Sequence, residues 1–181
     1  MFGVSKKRLA QALETAYQAQ KEFEKACRDR GREILSQLGP NDRAMVLVSR
    51  PYNGCDPGVS LNIPGKLRAM GILTIPMDFL DPSGSSRARF QEKDGMYWKY
   101  AQRIIKSAKI SRNDSRLYAI YLSNFSFGPD SFICTFFKDL MGEKPYLMLE
   151  IDHHSADARV VTRLAPYLES LRKFEATAPA S

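Results

Sequence analysis

Ala44-Met45-Val46-Leu47-Val48-Ser49-Arg50-Pro51-Tyr52-Asn53 decides the fold. Five apolar residues without polar alternation are what a strand buried on both faces carries, and such strands belong to parallel sheets covered by helices on each side. The run stops abruptly at polar and turn-forming residues, so the strand opens at its carboxyl end into a loop rich in functional groups.

The same pattern recurs three times. Ile72-Leu73-Thr74-Ile75-Pro76-Met77 ends at Asp78, and Leu117-Tyr118-Ala119-Ile120-Tyr121-Leu122 runs into Ser123-Asn124-Phe125-Ser126-Phe127-Gly128-Pro129-Asp130-Ser131. Pro145-Tyr146-Leu147-Met148-Leu149-Glu150-Ile151 runs into Asp152-His153-His154-Ser155. Between the strands lie helical stretches. Asn62 is a plausible cap for a helix with Pro64 in its first turn, closed by Gly71. Met96 to Lys109 forms another, with Tyr97, Tyr100, Ala101, Ile104, Ile105 and Ala108 inward. Asp130 to Met141 follows, and then Asp157 to Phe174, with Val160, Val161, Leu164, Tyr167, Leu168 and Leu171 inward. Residues 81–95 carry the turn chemistry of a mobile loop.

Ahead of the first strand, Leu9, Leu13, Ala16, Gln20, Phe23, Cys27, Ile34 and Leu38 recur at helical spacings, and Gly39-Pro40 stops the pattern. This predicts one helix over residues 5–38, about 50 Å long. That is more than a globule of 181 residues needs, so part of it is expected to dock elsewhere. The expected architecture is an α/β, Rossmann-like fold: a four-stranded parallel sheet in the order 2-1-3-4, with helices on both faces and right-handed crossovers. Residues 1–40 form the long helix, packed on the domain or extending from it; residues 41–176 form the α/β domain; residues 177–181 form a frayed tail.

Composition sets outer limits. A hydrophobic content of 44% and a charged content of 26% are those of a globular protein. No run of about 18 apolar residues exists, and no signal-peptide core follows Lys6, Lys7 and Arg8, so a cytoplasmic protein without membrane contact is expected. Cys27, Cys55 and Cys134 show no metal-finger spacing and read as reduced thiols. The formal net charge of +7 is concentrated in residues 87–116, where nine basic residues face three acidic ones. No nucleic-acid-binding motif accompanies that charge, so a solvated or docking face is expected rather than a nucleic-acid site.

In an open parallel sheet, ligands bind outside the carboxyl ends of the strands. The candidate ligand-binding residues there are Arg50, Tyr52, Asn53, Asp78, Asn124, Ser126, Gly128, Asp130, Ser131, Asp152 and His154. Arg50 can clamp a carboxylate or phosphate with two hydrogen bonds, or can pair with Asp78 or Asp152. Gly128-Pro129-Asp130-Ser131 brings backbone amides to a helix start, as an anion site or as a turn capped by Asp130 or Ser131. Asp152, His153 and His154 are of the types that hold metals or move protons, although neighbouring histidines at a loop tip are more often simply solvated. Cys55 would be reactive if its pKa were lowered. The dinucleotide fingerprint, the Walker loop and the nucleophile elbow are all missing from the sequence.

These loops also carry a likeness. Arg50-Pro51-Tyr52-Asn53 with Asp56, Asn62-Ile63-Pro64, Ile75-Pro76-Met77-Asp78, Met96-Tyr97-Trp98, Asn124 to Phe132, and Ile151 to Ala158 with Thr162-Arg163 stand in a shared order and spacing. In these motifs nearly the whole chain resembles the dehydratase-like region of the 2-hydroxyacyl-CoA dehydratase activator family, the CoA-substrate-specific enzyme activases. The resemblance implies a dehydratase-subunit-like α/β fold and anaerobic biochemistry. It also implies partnership with further domains of a larger protein or with a dehydratase or activator subunit. In related dehydratases cysteines hold a four-iron four-sulfur cluster, and the motif usually reads Asn-Phe-x-Cys-Gly-Pro-Asp-Ser-Phe. Phe127 stands at that Cys position, His153 where Glu is frequent and Arg159 where Gly is frequent. Cys55 and Cys134 lie elsewhere in the motifs. The ATPase part of such proteins is not in this sequence, so an excised domain or a short diverged relative is expected. By this resemblance the domain carries no cofactor of its own and is not catalytic in isolation. An independent binding domain for small anionic ligands is the competing expectation.

Overall fold

The computed structural model describes residues 3–81, 98–123, 128–152 and 157–177. Helix α1 spans Lys6–Gln37, and strand β1, Ala44–Val48, follows it. The short helices α2, Pro51–Cys55, and α3, Ile63–Ala69, lead to β2, Leu73–Pro76, and a 3-10 turn at Met77–Phe79. Then come α4, Lys99–Asn113; β3, Leu117–Ser123; α5, Pro129–Met141; β4, Tyr146–Glu150; and α6, Asp157–Thr177. The four strands form one sheet in the order β2-β1-β3-β4, and every pairing is parallel. This is the expected topology.

Register follows from burial. Val46 sits between Ile75 and Ala119 across the sheet, and Tyr121 lies opposite Met148. All residues of β1 and β3 are buried, whereas β2 and β4, at the edges, are only partly covered. Val46, Ile75, Ala119 and Tyr121 face α4 and α5 together with Ile34, Leu35 and Leu38 of the α1 end. Met45, Leu47, Ile120 and Leu122 face α3 and α6. Each buried aliphatic side chain contributes about 1.5–3 kcal/mol, so the central strands hold the two helical layers together.

The C-terminal part of α1 is fixed to this body and the N-terminal part is not. Arg116 donates to the carbonyls of Leu35 and Leu38, the end of α1, while its guanidinium is held by Asp114. Arg32 pairs with Asp81, and Arg103 of α4 bridges Glu24 of α1 and Asp78 of the 3-10 turn. Gly31 is the one buried residue of α1. Leu9, Leu13 and Phe23, by contrast, are exposed.

Several local expectations change. The five-residue α2 stands where the sequence reads as a loop. Asn62 occupies the N-cap of α3 with left-handed backbone and makes no side-chain cap bond; its amide lies instead against Gly65, where a Cβ would collide with it. Tyr100 and Val161 are exposed, not inward, because each sits just beside the buried stripe of its helix. Met96, Tyr97 and nearly all of the expected mobile loop, as well as residues 178–181 of the tail, lie outside the described residues.

A Cβ on Gly31 would overlap the backbone carbonyl of Phe79. Gly31→Ala is therefore expected to cost about 1–3 kcal/mol, the usual range for overpacking, read from chemical denaturation. An unchanged midpoint would show that α1 is not seated on the 3-10 turn in solution.

Candidate functional site at the carboxyl ends of the strands

Helices in a parallel α/β sheet run against the strands, so α4 and α5 begin at the edge where the strands end. Neither start is capped by a side chain. Trp98 and Gly128 hold the two N-cap positions, and neither makes a side-chain cap bond. Amides of the first turn are left for other partners. Gly128 has φ 58°, a value that favours glycine and turns the chain sharply into α5.

Arg50 leaves the end of β1 and reaches across to α5. Its Nη2 donates to Oδ2 of Asp130 at 2.7 Å. The partner differs from both carboxylates expected for it: Asp78 is taken by Arg103 at 2.8 Å, and Asp130 is the acid that the turn at Gly128 brings inside. Asp130 is 2% exposed, and Tyr121 donates its hydroxyl to Oδ1 at 3.4 Å. Burial and the Asp130 carboxylate both push the Tyr121 phenol far upward, so it remains a proton donor. Asp130 therefore does not cap α5. Ser131 does not cap it either, since its hydroxyl donates to the Gly128 carbonyl at 2.7 Å.

Two groups beside this pair have no partner. Arg50 Nε is buried and unbonded, and both side-chain amide atoms of Asn53 are buried and unbonded. Asn53 is 2% exposed. Buried polar atoms in folded proteins are satisfied almost without exception, by protein, ordered water or a bound group, so these atoms call for a partner. A cavity of about 340 Å³ adjoins the pair. Arg50 and Asp130 form its polar end, and Trp98, Tyr100, Ile104 and Ile133 form its walls. The Tyr52 ring, itself exposed, stacks under Arg50 with the guanidinium carbon 5.2 Å from its centroid.

The expected site residues thus divide. Arg50, Asn53, Gly128, Asp130 and Ser131 gather at this edge, with Tyr52 beneath Arg50. Asp78 is committed to the Arg103 and Glu24 cluster. Asp152 is half-buried and has an interaction of its own. Asn124, Ser126 and His154, like Phe127 and His153, lie outside the described residues. Tyr121 and the cavity walls were missed. A tyrosine two residues from the carboxyl end of a fully buried strand was the signal for Tyr121, since a buried phenol needs a partner.

The cysteines do not assemble into a ligand set. Cys27 lies on α1, Cys55 on α2 and Cys134 on α5. Burial first, then the nearby Asp78 carboxylate, push the thiols of both Cys27 and Cys55 upward. Cys55 is thus the opposite of an activated thiol. Among the described residues no three His, Cys, Asp or Glu side chains come together as a metal site.

A wider cavity, of about 920 Å³, opens at the opposite edge of the sheet beside Arg43, Tyr118 and Lys144. The side chains of Tyr118, Arg43 and Lys144 there are already used. Tyr118 donates to Glu175, Arg43 pairs with Glu175, and Lys144 donates to the carbonyls of Ser111 and Asp114 at the end of α4. Burial lowers the Lys144 ammonium to about pH 8, yet its bonds are those of a helix C-cap. Volume alone does not make this the better site.

Residues 1–80 match the family model described as CoA enzyme activase uncharacterised domain. The match covers 80 of the 181 residues. The match runs from α1 through the 3-10 turn, so Arg50, Tyr52, Asn53 and Asp78 fall within it, and Asp130, the partner of Arg50, falls outside it. No curated protein matches the chain, and no solved structure does. No helix among the described residues is long and apolar enough to cross a membrane.

The Arg50–Asp130 pair has an energetic signature. The Asp130 side chain is 3% exposed and that of Arg50 is 24% exposed. Asp130→Ala is expected to cost about 2–3 kcal/mol, below the range for fully buried pairs because Arg50 still meets water. Arg50→Met/Asp130→Leu together should cost less than Asp130→Ala alone, because no charge is then left unpaired. Urea denaturation of the set measures the difference; additive losses would contradict the pairing.

Proposed function

We propose that this domain is a substrate-side module related to the CoA enzyme activases, with no iron–sulfur cluster of its own, and that it holds the acyl end of an anionic thioester in the cavity beside Arg50. The orphaned Arg50 Nε and Asn53 amide carry this reading. Asn53 does not line the cavity itself; it lies behind Arg50, donating its backbone amide to the Arg50 carbonyl, and its side chain adds two donors and an acceptor next to that residue. The guanidinium, held by Asp130 through Nη2, stands at the cavity with no further side-chain partner at Nε. About 340 Å³ lies at the small end of ligand pockets. That volume suits an acyl group of a few carbons and leaves the nucleotide part of CoA outside, along the basic surface of α4.

The cluster-free part of the reading rests on the sequence and on the thiols. Phe127 stands at the Cys position of the resembling motif, and a phenyl ring cannot ligate iron, which takes cysteinyl thiolates in such clusters. The remaining cysteines sit on three different helices, and the two that lie near Asp78 are held as thiols. The residues described do not fit a cluster, and no step is routed through one.

A second reading, a self-sufficient binding domain for small anions, draws on the same orphaned atoms. Thermal unfolding with short-chain acyl-CoA esters, free CoA, nucleotides and short carboxylic acids separates the two. The module reading predicts stabilisation by acyl-CoA esters, reaching about 2.7 kcal/mol at a hundredfold excess over Kd, and its loss in Arg50→Met. Equal stabilisation by free acids favours the second reading, and no stabilisation by any anion contradicts both. A stoichiometric cluster after anaerobic reconstitution, seen as iron, acid-labile sulfide and absorbance near 400 nm, would contradict the cluster-free part alone.

A further inference from the structure

A third cavity, of about 220 Å³, lies between α1, the 3-10 turn and α4. Ala101 and Ile104 of α4 line the strand-end cavity, whereas Arg103 and Lys106 line this one; Lys99, at the helix start, borders both. The charge here does not balance. Four cations converge, Arg28 from α1 and Lys99, Arg103 and Lys106 from α4, against two carboxylates, Glu24 and Asp78. Arg103 holds both carboxylates at 2.8 Å, and Lys99 adds a contact to Glu24 at 3.2 Å. Two cations are left over: Arg28, 3.8 Å from Glu24 and too far for a hydrogen bond, and Lys106, which makes no hydrogen bond or ion pair among the described residues. Converging like charges repel unless an anion lies between them. Met77 and Leu80, both buried, line the same hollow, and apolar walls strengthen the pull on an anion by lowering the local dielectric.

We propose that this cavity binds a phosphate monoester group, with Arg28 and Lys106 as its direct partners and the Glu24–Arg103–Asp78 bridge as the frame that holds α1 and α4 apart. Size and charge select the group. The volume is below the roughly 300–1,000 Å³ of pockets that take whole ligands, but it is several times the about 30 Å³ of a water molecule, so it suits one compact anion. A phosphate monoester carries a charge of about −1.5 to −2 at neutral pH and three acceptor oxygens, which matches the surplus; a carboxylate leaves one cation uncompensated. Arg28 supplies the planar fork that takes two phosphate oxygens, and Lys106 supplies a point charge. Two kinds of molecule present that group. One is the thioester of the strand-end reading, whose CoA part carries a phosphate monoester and can pass Lys99 between the two cavities; this source rests on that reading. The other is a separate phosphorylated ligand, which does not.

Amide chemical-shift titration with adenosine 3′,5′-bisphosphate and with inorganic phosphate reads the site directly. Shifts should saturate at residues 24–28 and 102–107. Arg28→Gln/Lys106→Gln should weaken binding by about tenfold or more, the usual effect of losing charge-assisted contacts. Lys138→Gln/Arg172→Gln, which removes the same charge from α5 and α6, should not weaken it. None of the four residues is buried, so thermal midpoints should stay unchanged. Butyryl-CoA and its 3′-dephospho form then separate the sources. Tighter binding of the phosphorylated form, with the difference abolished in Arg28→Gln/Lys106→Gln, assigns the group to CoA. Equal binding of the two forms, with bisphosphate binding still dependent on Arg28 and Lys106, assigns it to a separate ligand. Butyryl-CoA that fails to bind while the bisphosphate binds contradicts the strand-end reading and supports this site. Phosphate binding that is absent, or that falls equally in both double variants, overturns the proposal.

Discussion

Two strands buried on both faces govern this molecule. β1 and β3 lie at the centre of the sheet with helices above and below, and no side chain along them meets solvent. A polar group in that position would lose its hydration without a guaranteed partner, at a cost of several kcal/mol. The central strands therefore carry little hydrogen-bonding chemistry, and it lies toward their ends: Tyr118 near the start of β3 reaches Glu175, and Tyr121 near its end reaches Asp130. Tyr121, two residues from the end of β3, is the limiting case: its ring fills the core and its hydroxyl just reaches Asp130.

That constraint explains why the candidate site is small and sharply defined. Ser49 and Arg50 are the first residues past β1, and Arg50 turns immediately toward the start of α5. The helix start supplies a buried carboxylate in Asp130, and pairing fixes the guanidinium in one place. A pair of this kind adds little net stability, because desolvation offsets most of the attraction. Its value is positional: it fixes the guanidinium at the polar end of the cavity. The same logic applies at the other flank of the domain, where Arg103 holds Glu24 and Asp78 together and ties α1 to α4. Much of the positive charge in residues 99–116 is spent in this way, on carboxylates and helix carbonyls. The family match covers the Arg50 side of the strand-end edge, and the acyl-binding role of that edge is a proposal.

The fold was legible in the sequence because it depends on period and sequence order. Continuous apolar runs placed all four strands to within a residue or two, and the crossover rule ordered them correctly. Helix faces were legible to within one position, which is why Tyr100 and Val161 were misplaced: residues at the margin of an apolar stripe are decided by a fraction of a helical turn. α2 was not legible, since five residues containing Pro51 and Gly54 display no period. The strand-end edge was legible in the sequence, and Arg50, Asn53, Gly128, Asp130 and Ser131 do stand along it. Its wiring was not legible. Asp78, Asp152 and Asp130 are equivalent partners for Arg50 in sequence, and only the sharp turn at Gly128 and the prior claim of Arg103 on Asp78 choose between them.

The central claim is that a ligand occupies the strand-end cavity rather than the larger opening beside Tyr118 and Lys144. Amide hydrogen exchange with and without a short-chain acyl-CoA ester locates the bound molecule without assuming its pose. The account predicts slower exchange at residues 49–54, 99–104 and 130–133. Slowing confined to the 40–43, 142–144 and 174–175 segments would place the ligand at the opposite edge and contradict it.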